Sequence, residues 1–230
     1  MRVFPCLIAL LALGVAQPSM AYLPSSDFLL NQWAQRAQQQ AMQDLQADVE
    51  TTVENAEGEQ PEKGQLYIKR PEKLRIAPNT PSEQAVLVVQ TAHSTPRFLF
   101  AALWASQGSK ADDAARRIHH VLGTVGINTR DVSLGRHGDR TVYILGAKSW
   151  EIDKPQIWFD KDTMLPVRYR IKASKTAASE ETRMNYDFTD AKVWFPSSFD
   201  MFDASGKQTR HSQISKVRIN RKLPDTLFQI

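Results

Sequence analysis

Thiols are almost absent from this 230-residue chain. Its one cysteine, Cys6, falls in an N-terminal apolar run, so the remainder has no disulfide, no thiol nucleophile and no Cys ligand for a metal. Catalytic patterns are missing too. There is no Gly-x-Ser-x-Gly elbow to expose a serine and no His-Glu-x-x-His to pair two imidazoles on zinc. Gly206-Lys207 lacks the upstream glycine of a phosphate loop. The five histidines are His93, His119, His120, His137 and His211; the adjacent pair, His119 and His120, points in different directions on a helix and chelates poorly. Asp160-Lys161-Asp162 lacks the glycine and the later glutamate of a calcium loop and reads as turn chemistry. No catalysis, cofactor or metal is expected. The 29 basic and 25 acidic residues are interleaved, without the basic stripe that a nucleic-acid partner needs.

Residues 1–21 read as a signal peptide: Arg2, an apolar run over residues 3–16, then Ser19-Met20-Ala21 with small residues at the −3 and −1 positions. Cleavage after Ala21 is preferred, with Gly14-Val15-Ala16 as a second site. Cys6 comes too early to be the lipidated cysteine of a lipoprotein. The apolar run is too short to span a bilayer comfortably, and no later stretch is long enough. Residues 22–230 are therefore expected to form one exported, periplasmic domain, with a net charge of +3 once Arg2 is removed.

Strand patterns dominate what is left. Gln156-Ile157-Trp158-Phe159 leads through Asp160-Lys161-Asp162-Thr163 into Leu165-Pro166-Val167, where Val167, Tyr169 and Ile171 alternate with Arg168, Arg170 and Lys172. That spacing predicts an antiparallel hairpin with one dry and one wet face. Met184, Tyr186 and Phe188 alternate in the same way, and Asp203-Ala204-Ser205-Gly206 turns the chain into a last strand ending near Asn220. Upstream, residues 27–43 predict a helix capped by Ser25 or Ser26, with Phe28, Leu29, Trp33, Ala37 and Met42 near helical spacing. The period then changes to two over residues 45–53, a first strand. A polar loop over residues 55–63 precedes strands at 64–71, 73–76 and 85–91.

Residues 96–106 fit a buried strand or a short helix; Thr95-Pro96, an N-cap and a proline at the first helical position, favours helix. Residues 110–122 form a clearer helix, with Ser109 as cap and Gly123 as stop. Val132-Ser133-Leu134 and Thr141-Val142-Tyr143-Ile144 make a hairpin around His137-Gly138-Asp139. The apolar load is large, including Trp150, Trp158, Phe159, Trp194, Phe195, Phe199 and Phe202. From pattern alone this is an ordinary core; the functional alternative is the lining of a cavity for something greasy.

Gly64-Gln65-Leu66-Tyr67-Ile68-Lys69-Arg70-Pro71 resembles the Gly-x-Leu-aromatic-Val-Lys-Arg-Pro segment of the LolA-type periplasmic outer-membrane lipoprotein carriers. Gly146-Ala147-Lys148 and the stretch from Lys154-Pro155-Gln156 to Pro166-Val167-Arg168 resemble the related outer-membrane lipoprotein-sorting proteins. The resemblance spans most of residues 40–228, although His93-Ser94-Thr95-Pro96 replaces the Asp-Gly-Lys turn that often follows the third strand. It implies an α+β fold, mainly β: an unclosed antiparallel half-barrel with an N-terminal helix and a helical lid at about residues 96–122. Arg70 takes the family's place as the lid latch, and Leu74 lies near the mouth of the cavity. The acyl-contact residues so implied are Val49, Val53, Leu66, Ile68, Leu74, Ile76, Phe98, Leu103, Trp104, Phe159, Tyr169, Tyr186 and Phe188. The implied role is a monomeric shuttle for acyl chains of lipoproteins or lipids, between an inner-membrane donor complex and an outer-membrane acceptor. The alternative is a periplasmic regulatory or envelope-stress sensor module with the same fold.

Overall fold

The computed structural model describes residues 23–39, 42–55, 58–69, 73–78, 111–172, 179–186 and 195–229. Helix α1 (Ser26–Gln39) leads into strands β1 (Asp44–Asn55), β2 (Gly58–Lys69) and β3 (Lys73–Pro78). Helix α2 (Ala111–Thr124) follows, then β4 (Val132–His137), β5 (Arg140–Leu145), β6 (Gln156–Asp160), β7 (Pro166–Lys172), β8 (Ser179–Asn185), β9 (Ser198–Phe202) and β10 (Gln208–Ile219). All ten strands lie in one antiparallel sheet of order β3-β2-β1-β10-β9-β8-β7-β6-β5-β4. Among the described residues β3 and β4 are its two edges, and the sheet is an unclosed half-barrel.

Local chemistry explains most boundaries. Ser25 caps α1, its Oγ accepting from the Phe28 N–H at 3.2 Å. Leu30, Trp33 and Ala34 form that helix's buried stripe. α2 buries Ala115, Ile118 and Leu122, three positions at the same period. It runs through Gly123, the expected stop, to Thr124, and is closed by Gly126 (φ +80°) just beyond, where the Ile127 N–H reaches back to the Leu122 carbonyl at 3.1 Å. A left-handed residue ends a helix more firmly than glycine as such. Gly146 (φ +105°) has a second constraint: a Cβ there would sit 2.7 Å from the Pro155 carbonyl oxygen and 2.8 Å from Ile127.

Three expectations need correction. The loop expected over residues 55–63 is mostly strand, because β1 and β2 stay in register out to Asn55 opposite Gly58. Its polarity reflects a ribbon extending beyond the core, where Lys63 pairs with Glu50 at 3.4 Å. Met42 does not belong to α1, which ends at Gln39; it packs instead with Leu45, Leu66 and Ile68. Val167 leaves the dry face as well. Trp158 pairs with Arg168 but Phe159 pairs with Pro166, so Val167 is the extra residue of a bulge and packs with Val142, Ile144 and Trp158. Four proposed elements or boundaries fall outside the described residues: the strand at 85–91, the segment 96–106, the Ser109 cap and Phe188.

Beyond β10 the chain folds over the other face of β1–β3. Asp44, 4 % exposed, accepts from the Arg221 N–H at 2.7 Å and the Leu223 N–H at 3.2 Å. Lys69 and Lys73 both pair with Asp225 at 2.8 Å, and Arg75 donates to the Leu227 carbonyl. The carboxylate of Asp44 thus satisfies two backbone donors that have no ladder partner. Asp44→Ala is expected to cost about 1–3 kcal/mol and to raise hydrogen exchange selectively over residues 220–229, measured against the wild type.

Candidate functional site

Because side chains alternate along every strand, the register divides the sheet into two chemically distinct faces. The face beneath the helices is apolar and carries two clusters. One joins Leu30, Trp33 and Ala34 of α1 and Ala115, Ile118 and Leu122 of α2 to Leu145, Ile157, Phe159, Tyr169, Ile171 and Met184 of the sheet. Trp33 meets Phe159 edge-on, with ring centroids 5.3 Å apart. The second cluster gathers Met42, Leu45, Ala47, Val49, Leu66, Ile68, Leu74, Phe195 and Ile214 around β1–β3 and β10. Phe199 of β9 packs against both, so the apolar surface is continuous across the sheet.

The implied acyl-contact residues distribute over this face. Val49, Leu66, Ile68 and Leu74 are buried together in the second cluster, with Ile76 packed against it. Val53 is half-buried farther along β1. Phe159 and Tyr169 belong to the first cluster and are fully buried. Tyr186 lies against the first cluster, its hydroxyl donating to the Pro166 carbonyl at 2.7 Å, and burial pushes its pKa up. The other acyl-contact residues, Phe98, Leu103, Trp104 and Phe188, lie outside the described residues, as does the latch, Arg70. Lys69, next to Arg70 in the chain, donates to the Leu223 carbonyl and pairs with Asp225 in the C-terminal segment.

Sequence reasoning named Phe195 and Phe199 only in the general apolar load and left them, with Ile214, out of the acyl-contact set, although the alternation of Phe199 with Ser198 and Asp200 carried the signal. It also read Arg168 and Arg170 only as a wet face. On the opposite side of the sheet they converge, with Arg183, on one carboxylate. Glu181 accepts from Arg168, from Arg170 at 2.5 Å and from Arg183 at 2.7 Å, and its side chain is 3 % exposed. Arg168 stacks on Trp158 and Arg183 on Phe202, each guanidinium carbon 4.1 Å from the ring centre. Burial alone would raise the Glu181 pKa; the arginine hydrogen bonds and charges outweigh it and hold it at about 2. His137 stands edge-on to Trp158, and burial together with Arg168 and Arg183 lowers its pKa. No group of three or more His, Cys, Asp or Glu is placed to hold a metal among the described residues.

No family model and no curated protein matches the sequence. Solved structures do match. A domain described as that of an outer-membrane lipoprotein-sorting protein from Vibrio parahaemolyticus aligns over 86% of this chain and 95% of its own, at 13% identity and TM-score 0.52. A DUF1329 family protein from Desulfovibrio piger aligns over 90% of this chain and 98% of its own, at 13% identity and TM-score 0.55. The fold is LolA-like. The ten-stranded open sheet, with α1 and α2 across its apolar face, is the architecture that the lysine-arginine-proline segment implied.

The arginine cluster makes a titration prediction. Ordinary glutamates protonate near 4.5, whereas Glu181 is held at about 2. As pH falls through that window the unfolded chain takes up a proton that the folded chain refuses, so stability present above about 4.5 is lost towards about 2. Urea midpoints between about pH 5 and about pH 2.5 should fall less steeply for Glu181→Gln than for the wild type. At neutral pH that variant should already be weaker, by on the order of 3 kcal/mol. Equal slopes would show that Glu181 titrates normally.

Proposed function

We propose that this protein is a periplasmic carrier that binds acyl chains of lipoproteins or lipids within the half-barrel and shuttles them towards the outer membrane, without covalent chemistry. The observation that supports it is the continuity of the apolar face. Two clusters on opposite halves of an open sheet are joined through Phe199, one of them beneath two separate helices. An extended hydrocarbon chain requires a surface of that kind, long in one direction and dry throughout. Each methylene kept from water contributes roughly 0.8 kcal/mol, so a chain of about fifteen carbons gains ~12 kcal/mol from such shelter.

In this reading Val49, Leu66, Ile68, Leu74 and Ile76 line one end of the site, and Arg70 latches a lid that includes α2. A guanidinium offers five donors in a fixed fork and can hold several carbonyls of a helix end at once. Donor and acceptor complexes in the two membranes would load and unload the carrier, which acts as a monomer.

A fluorescent fatty-acid analogue should bind the wild type and be displaced by phospholipid. Leu74→Glu should weaken that binding about tenfold or more, because an unpaired carboxylate in an apolar site is costly to desolvate; equal binding by both proteins would remove Leu74 from the site. The latch has its own measurement. Arg70→Leu should raise hydrogen exchange over residues 111–122 and speed cargo release, with little change in melting temperature. Unchanged exchange there, with a large fall in melting temperature, would make Arg70 a structural residue.

A further inference from the structure

The loop between β5 and β6 is held firmly and yet presents large apolar side chains to water. The Lys148 N–H donates to Glu151 Oε2 at 2.9 Å, and the Glu151 N–H returns to the Lys148 carbonyl at 2.9 Å. Gln156 Nε2 ties the Glu151 and Lys154 carbonyls at 2.9 and 3.1 Å. Ser133 Oγ donates to the Ala147 carbonyl at 2.7 Å, and Arg170 donates to the carbonyl of Ile152. Within this frame Trp150 is 72% exposed and Ile152 is 55% exposed. Folding gains nothing from placing an indole and a sec-butyl group in water on a loop this well pinned.

The base of the loop adjoins a cluster of arginines. Arg170, which holds Ile152, belongs to the set of three guanidiniums that share the single carboxylate of Glu181. Arg168 and Arg183 stand directly opposite one another across β7 and β8, an unfavourable pairing for like charges. Asp200, opposite Arg183 across β8 and β9, is engaged by His211 Nδ1 at 2.6 Å. Glu151 is paired with Lys154 at 2.6 Å, and the four charges of Lys148, Glu151, Asp153 and Lys154 cancel. Three guanidiniums against the carboxylates of Glu181 and Asp200 leave a surplus of one positive charge (3 − 2), presented mainly by Arg183, whose side chain is 44% exposed.

We propose that the Trp150–Ile152 tip and the adjoining arginine patch form a surface that docks on an anionic phospholipid bilayer. Indole is the side chain that best tolerates the boundary between headgroup and acyl chain, and Ile152 can follow it into the apolar layer. Lys148, whose ammonium lies 5.4 Å from the Trp150 ring centre, can keep its charge among the headgroups. Lipid phosphates offset the arginine surplus. Two inserted side chains give weak, reversible attachment, suited to a protein that returns to solution. The surface lies apart from the apolar inner face, so the inference does not require acyl-chain binding.

The test is sedimentation with vesicles of phosphatidylcholine alone or mixed with phosphatidylglycerol. Wild type should pellet with the mixed vesicles at low salt and be released as the Debye length shrinks. Trp150→Ser combined with Ile152→Ser should weaken association roughly tenfold or more, with an unchanged melting temperature because both sites are exposed. Arg183→Gln should reduce the preference for phosphatidylglycerol. Failure of the wild type to bind either vesicle, equal binding by the double variant, or an undiminished lipid preference in Arg183→Gln would overturn the proposal. Fatty-acid binding measured on the same samples separates the two readings: its loss with vesicle binding intact counts only against the cavity.

Discussion

β3 and β4 are consecutive strands along the chain among the described residues, yet they occupy opposite edges of the sheet. Every other pair of successive strands is also a pair of neighbours in space. Residues 79–131 lie between these two edges along the chain. α2 belongs to that connection, and its Ala115, Ile118 and Leu122 lie on the apolar face. Unlike the short links between neighbouring strands, the link between the two edges thus carries a helix, and that helix covers part of the dry face.

The two faces then follow different rules. On the inner one, alternation delivers aromatic and aliphatic side chains in rows, and α1 fills the place that a second sheet would occupy in a sandwich. On the outer one, the same alternation brings four charged groups together on two strands. A carboxylate 3 % exposed is tolerated there because three guanidiniums converge on it. Aromatic rings on the flanking strands, Trp158 of β6 and Phe202 of β9, hold two of those guanidiniums from either side.

How much of this was legible depends on whether a residue's role is set by its neighbours in sequence or in space. The β6–β7 hairpin, the His137-Gly138-Asp139 turn, the cap at Ser25 and the dry positions Tyr169 and Ile171 are local patterns, and they were readable. Met42 and Val167 were not, for different reasons. Met42 continues the run of apolar residues assigned to the N-terminal helix, but the helix ends before it; what places it is contact with Leu45, Leu66 and Ile68. Val167 continues an alternation that a bulge interrupts, and only the register across β6 and β7 exposes the bulge. The convergence of Arg168, Arg170 and Arg183 on Glu181 was hidden because eleven or more residues separate the β7 pair from Glu181. The polar residues at 58–63 misled for the opposite reason: a strand beyond the core needs no apolar face.

The cover itself sets the energetics of any cargo. α1 and α2 contribute Leu30, Trp33, Ile118 and Leu122 to the inner cluster as large buried side chains. At roughly 1.5–3 kcal/mol each, exposing all four would cost roughly 6–12 kcal/mol. A fifteen-carbon chain gains ~12 kcal/mol from the same kind of burial, so lifting both helices would consume about half to all of that gain. Shifting one of them costs about half as much and leaves several kcal/mol. The joint between the helices is compatible with independent movement. Across it, His119 Nε2 meets Asp27 Oδ1 at 2.8 Å, and the Asp27 side chain is 75% exposed. A polar contact so open to water contributes little. The apolar contacts of α1 and α2, rather than this polar link, therefore determine how readily the inner face opens.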